Sequence, residues 1–348
     1  MSKSSREAFG RTQDGKPIER FVLEQRGLRA TFTNFGATLL TLEVPDRHGA
    51  RADVVLGFDT LAEYESSSNP YFGGLVGRCA NRIAGARFEL EGREVLLAAN
   101  EGRHHLHGGR RGFDRRAWTA YFDPDAASVS FTRNSPAGEE GYPGTLVLRA
   151  TYRLENDAVL SLETEASCDV ATAVNLTQHT YFNLAGEGSV EQHELEVRAL
   201  RFVAVDDELI PTGELRDVQG TPFDLRGPRR LGDCLAALAN SASEGLDLCY
   251  VLDGGRTEVA RAVCRLSQAH SGRVLEVATT QPGLQVYTAN RLADLHGKRG
   301  QTYRRHAGVC LETQHWPDAP HHAHFPSIVL RPGERHREVT RWTFSTLG

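Results

Sequence analysis

The residues able to do chemistry gather in five short stretches. The longest is Asn175-Leu176-Thr177-Gln178-His179-Thr180-Tyr181-Phe182-Asn183-Leu184-Ala185-Gly186. Strand alternation sets Leu176, Gln178, Thr180 and Phe182 on one face and Thr177, His179, Tyr181 and Asn183 on the other. A face of four polar side chains packs poorly and suits the floor of an open cleft. The plainer reading is a half-exposed strand with His179 hydrogen-bonded and inert. The stretch Gly308-Val309-Cys310-Leu311-Glu312-Thr313-Gln314 embeds Glu312 among apolar residues. A carboxyl so placed is either paired or raised in pKa, and both are features of a working acid or base. A buried salt bridge would explain it equally well.

Three further stretches carry more than structure requires. Gly77-Arg78-Cys79-Ala80-Asn81-Arg82-Ile83 puts Asn81 and Arg82 side by side near a turn, where a surface ion pair is the plainer reading. Leu106-His107-Gly108-Gly109 sets a histidine before two glycines that would let the backbone approach a ligand closely. Gly245-Leu246-Asp247 places a carboxylate at the entry of an apolar strand, in the role of a ligand or of a turn cap. The segment with His315, His321, His322 and His324 matches no zinc spacing and runs through Pro317, Pro320 and Pro326, so no metal is expected there.

The elements that must position these residues read as strands. Runs rich in Val, Leu, Phe and Thr recur at 20–24, 28–34, 37–44, 53–58, 86–90, 95–97, 118–122, 128–132, 145–154 and 158–165. Glu155-Asn156-Asp157 forms the turn between the last two. After the central stretch the series resumes at 193–197, 201–205, 247–252, 274–279, 285–290, 309–313 and 328–331. The one convincing helix is short, over 231–239. No glycine-rich loop opens a helix after a strand, which excludes nucleotide-binding folds. Many closely spaced strands with almost no helix predict an all-β protein, a large antiparallel β-sandwich. No linker or low-complexity run divides the chain, so one domain over 1–348 is expected, with 1–17 a flexible or edge segment.

Composition narrows the partners. The chain of 348 residues has a net charge of -5 and a pI near 6.3, leaving no basic surplus for nucleic acid. The start lacks the apolar core of a signal peptide, and no run reaches the length of a membrane span. The expectation is a soluble, cytoplasmic protein without nucleic-acid or membrane partners. Six scattered cysteines, without Cys-x-x-Cys spacing, read as buried thiols.

In order along the chain, Gly-Arg-Cys-Ala-Asn-Arg-Ile, Leu-His-Gly-Gly, Gly141-Tyr142-Pro143-Gly144, the central stretch, Leu209-Ile210-Pro211-Thr212-Gly213-Glu214, Gly220-Thr221-Pro222-Phe223-Asp224, Thr280-Gln281-Pro282-Gly283 and Leu311-Glu312-Thr313-Gln314 resemble the aldose 1-epimerase (galactose mutarotase) family. The resemblance runs from about Phe35 to Phe344. It implies a mutarotase-like β-sandwich that interconverts the α and β anomers of a free aldose, as a monomer or homodimer, with no cofactor and no metal. It also implies Glu312 as base and His179 as acid, with His107 hydrogen-bonding near the ring oxygen or a neighbouring hydroxyl. Arg82, Asn81, Asp247 and Gln285 would hold sugar hydroxyls, and Tyr181 or Trp316 would cover an apolar sugar face. The chain departs from the family's pattern at Leu248-Cys249 after Asp247, and at Gln178, Thr180, His315 and His321-His322. A hexose-phosphate epimerase, a glycoside hydrolase using Glu312 with Asp247, and a non-catalytic sugar-binding protein are the alternatives. Arg304 and Arg305 are the basic residues to locate for the first of these.

Overall fold

The computed structural model describes residues 4–25, 27–156 and 158–347. Met1 to Lys3, and Asp157 of the expected turn, lie outside the described residues. Three antiparallel sheets organise the chain. The largest has nine strands, with Leu146–Glu155, Val159–Cys168 and His336–Thr346 running side by side near its middle. Leu146–Glu155 has the alternation expected of a sheet facing core on one side and water on the other: Leu146, Leu148, Ala150, Tyr152 and Leu154 are buried, with more exposed residues between them. A five-stranded sheet runs in chain order from Ser5–Arg11 to Arg51–Asp53. Ser5–Arg11 is its edge strand.

The third sheet carries several of the candidate site residues. Its six strands lie in the order Tyr181–Phe182, Val309–Gln314, Gly283–Tyr287, Asp247–Val251, Arg201–Val205 and Pro211–Asp217. One face presents Leu248, Tyr250, Leu284, Val286, Val309 and Leu311 to the main core, where residues of all three sheets meet. The period of two therefore turns Asp247, Cys249, Gln285, Tyr287, Cys310 and Glu312 to the other face. Apolar burial on one face thus holds a row of reactive groups on the other.

Five elements differ from the sequence reading. The central stretch is not one strand: Thr177–Gln178 pairs with Leu75–Val76, and Tyr181–Phe182 pairs with Val309–Gln314 in another sheet. All of 175–184 is buried rather than half-exposed. Gln178 and Thr180 bond to each other, and Gln178 also donates to the Gly73 carbonyl. His336–Thr346, Arg261–Gln268 and Pro211–Asp217 are strands, and a five-residue helix, Leu61–Glu65, starts at a capping box made by Thr60 and Glu63. No helix among the described residues is long and apolar enough to cross a membrane.

Candidate active site

Register across the six-stranded sheet builds the site in rows. Tyr181 pairs with Cys310, Cys310 with Tyr287, and Tyr287 with Asp247, giving one line across four strands. The next line joins Glu312 to Gln285 and Gln285 to Cys249. His179, two residues before Tyr181, falls opposite Glu312, with its Nε2 3.8 Å from Glu312 Oε1. The short paired strand at Arg82–Ile83 and His105–Leu106 adds the opposite wall.

All seven residues singled out from sequence (Asn81, Arg82, His107, His179, Asp247, Gln285 and Glu312) line one cavity of about 190 Å³. Tyr181 lines it too. Trp316 does not: it packs on Phe325 and donates its indole N–H to the Pro282 carbonyl. Of the expected polar face, only His179 and Tyr181 reach the cavity. Asn183 spends its amide on the carbonyls of Glu187, Gly188 and Ala307, and the Thr177 hydroxyl is buried without a partner. The glycines after His107 serve the chain rather than a ligand, since a Cβ on Gly108 would sit 1.8 Å from the Gly77 carbonyl oxygen. Sequence reasoning missed Pro70, Tyr71, Glu101, Tyr287 and Arg291, which with Leu106 complete the lining. Tyr287 was within reach, because it lies two residues past Gln285 on the same strand face.

Local structure aims each side chain. Asn81, His107 and Tyr71 all hold left-handed backbone, at φ 60°, 50° and 66°, a costly conformation that persists where the surroundings over-determine it. The backbone N–H of Asn81 donates to His107 Nδ1 at 3.2 Å, and the His107 N–H returns a bond to the Asn81 carbonyl. Neutral His107 therefore carries its proton on Nε2. Arg78, in the same motif, is wholly structural: its buried guanidinium donates to carbonyls of Ser135, Pro136, Pro143 and Gly144. That network accounts for the Gly-Tyr-Pro-Gly motif. Arg82 is gripped bidentately by Glu101 at 2.7 and 2.8 Å. Gln285 donates to Asp247 Oδ1 at 2.7 Å, which leaves Gln285 Oε1 buried and unpartnered, as is Glu312 Oε2. Two orphaned acceptors in one cavity are groups that a hydroxyl-rich ligand would satisfy.

Burial sets the electrostatics. It pushes the Glu312 carboxyl well above its ordinary value, with nearby Asp247 adding to the effect. Burial also pulls His179 down to about 4, against a smaller opposing pull from its own backbone. His107 is held well below its ordinary value by burial, then by His179 and Arg82. Asp247 is raised by burial, which Arg82 opposes. Burial thus favours the neutral pair, a protonated carboxyl beside an uncharged imidazole, over the ion pair.

His107, His179 and Glu312 offer ligand atoms within 4.8 Å of one another, the one such metal-sized gathering among the described residues. The donor set does not suit an ion. A metal on His107 Nε2 needs the proton moved to Nδ1, where it would face the Asn81 N–H. The histidine-rich segment is dispersed: His321 and His322 pair with Asp318, His324 reaches the Gly213 carbonyl, and His315 is buried near Glu338. Arg304 and Arg305 pair on the surface with Asp294 and Glu244, away from the cavity. The six cysteines are free, five of them buried.

The sandwich and its carboxyl–imidazole cleft define the class, an antiparallel β-protein with a buried acid–base pair above one sheet. The profile of the family described as "Aldose 1-epimerase" matches residues 19–343. The chain is 46% identical to the galactose mutarotase of Sus scrofa and 45% identical to that of Homo sapiens, with 99% of each chain covered. Among solved structures, a GalM/aldose epimerase homologue from C. elegans superposes with a TM-score of 0.86 at 33% identity, over 99% of this chain and 100% of that one. A galactose 1-epimerase from Lactobacillus acidophilus NCFM gives 0.86 at 29% identity over the whole of both. The chain belongs to the aldose 1-epimerase family.

Proposed function

We propose that this protein is a mutarotase that interconverts the α and β anomers of a free aldohexose such as galactose or glucose. The observation that carries the reading is the Glu312–His179 pair, 3.8 Å apart in a cavity with two unsatisfied acceptors. Glu312 takes the proton of the anomeric hydroxyl while His179 gives its Nε2 proton to the ring oxygen, and the C1–ring oxygen bond breaks to leave an aldehyde. Rotation about the C1–C2 bond and reversal of both transfers close the ring as the other anomer. The pair holds one proton throughout, on His179 when the ring is closed and on Glu312 when it is open. Because burial favours the proton on Glu312, the resting protein matches the open-chain stage.

Arg82, Asn81, Asp247 and Gln285 hold the sugar hydroxyls, Arg82 and Asp247 through charge-assisted bonds. The His107 Nε2–H donates near the ring oxygen, and the Tyr181 ring covers part of the sugar. The enzyme uses no cofactor. Its free cysteines fit a reducing, cytoplasmic setting, where it works as a monomer or homodimer in carbohydrate metabolism. A second reading, a sugar-phosphate substrate, has one observation behind it. Arg291 is exposed at the cavity, and its guanidinium has no hydrogen bond or ion pair among the described residues.

Polarimetry on freshly dissolved anomers tests both. Fast equilibration of α-galactose or α-glucose, without change in composition, is expected. Activity on hexose phosphates alone would favour the second reading, and release of new reducing ends from a disaccharide would replace both with hydrolysis.

A further inference from the structure

Ring opening and closing place a demand on His179 that the pair distance alone does not meet. Nε2 must give a proton in one half-reaction and take it back in the other. Nδ1 must therefore stay protonated in both, or neutral His179 would have no free lone pair on Nε2. Something has to hold a proton on Nδ1 without holding a charge on the ring.

The groups facing His179 are Tyr71, Tyr181, His107, Cys310 and Glu312. The rings of Tyr71 and Tyr181 stack on it nearly parallel, at 5.6 Å and 20°, and 5.0 Å and 22°. The His107 ring meets it edge-on at 5.1 Å. Glu312 is on the Nε2 side. At Nδ1 the partner is the sulfur of Cys310, at 3.5 Å. That thiol is fully buried on the strand that carries Glu312.

We propose that Cys310 is a positioning residue that accepts the Nδ1–H of His179, fixing the tautomer that leaves Nε2 free to shuttle the proton. This rests on the acid–base reading above. A sulfur is a weak, uncharged acceptor, so it orients the ring without stabilising the imidazolium, which a carboxylate in its place would do. The tyrosine plates fix the ring plane and keep water from it. His179 thus stays a strong acid when charged, as protonation of an ether-like ring oxygen requires.

The test combines ¹⁵N NMR of the full-length protein, labelled at histidine, with steady-state polarimetry. A His179→Asn spectrum identifies the His179 signals. The wild type should show neutral His179 protonated at Nδ1. Cys310→Ala should give a mixed or Nε2–H tautomer, with kcat lower by about tenfold and KM within about twofold. Cys310→Ser, which restores an acceptor, should recover the Nδ1–H signal and much of the lost rate. An Nε2–H tautomer in the wild type would overturn the proposal, as would an Ala variant with unchanged tautomer and kcat. A fully active His179→Asn variant would instead sink the acid–base reading, which the tautomer spectrum does not test.

Discussion

Burial and the neighbouring Asp247 both oppose charging Glu312, so Glu312→Gln copies the protonated resting side chain in shape and polarity while removing its capacity to exchange a proton. Two opposite effects follow. Loss of the general base should lower kcat by about 10²–10⁴-fold. Stability should rise. A carboxyl raised in the folded state contributes stability that is present below its unfolded pKa, about 4.3, and is lost as the pH climbs through the folded value. Each unit of elevation removes about 1.4 kcal/mol by the time that titration is complete. Glutamine does not titrate, so it escapes the loss. At about 2 °C per kcal/mol for a chain of this size, one unit of elevation is worth about 3 °C in Tm. The Tm difference between variant and wild type should be near zero at pH 4 and grow with pH. Thermal melts across that range, with polarimetric rates on the same samples, provide the assay. A variant that is active, or that loses stability as the pH rises, would refute the reasoning.

Three other predictions use the same geometry. The pH–rate profile should be a broad bell: its acid limb, where the pair gains a second proton, lies near the lowered His179 value of about 4, and its basic limb, where the single proton is lost, lies well above the usual carboxyl range. An acid limb near the ordinary histidine value would show that burial does not govern the pair. Gln285→Leu removes the bond to Asp247 and an open acceptor, so kcat/KM should fall about 10- to 100-fold, mostly through KM; unchanged KM would exclude Gln285 from sugar binding. Prolonged dialysis against a strong chelator should leave the rate unchanged, and a loss restored by zinc would mean that His107, His179 and Glu312 hold an ion after all.

Legibility in the sequence followed the chemistry of the buried faces. Leu146–Glu155 and Val159–Cys168 alternate apolar with polar residues, so their pattern declares them. His336–Thr346 alternates equally well, yet its buried positions begin with His336, Glu338 and Thr340 before Trp342 and Phe344, and a polar inner face conceals a strand. Leu61–Glu65 was marked by the Thr60–Glu63 capping signature but is too short to show a helical period. The central stretch misled in the opposite direction. Its alternation continues smoothly from 175 to 184, whereas the chain changes sheets between Gln178 and Tyr181 with both faces buried. At the site, Glu312 stood out because a carboxyl among apolar residues demands a reason, and His179 because a strand face of four polar side chains packs poorly. Tyr71, Glu101 and Arg291 did not, since their importance comes from loops brought near by the fold.

The central claim is that His179 moves a proton rather than merely filling space beside two tyrosines. His179→Asn keeps a polar side chain in the cleft but cannot protonate a ring oxygen. Its kcat and KM for α-galactose and its Tm, taken on one preparation, decide the matter. The account predicts a kcat at least about 10²-fold lower with KM changed far less, in a protein that melts close to the wild type. A variant with lower Tm but wild-type kcat in its folded fraction would remove His179 from the mechanism.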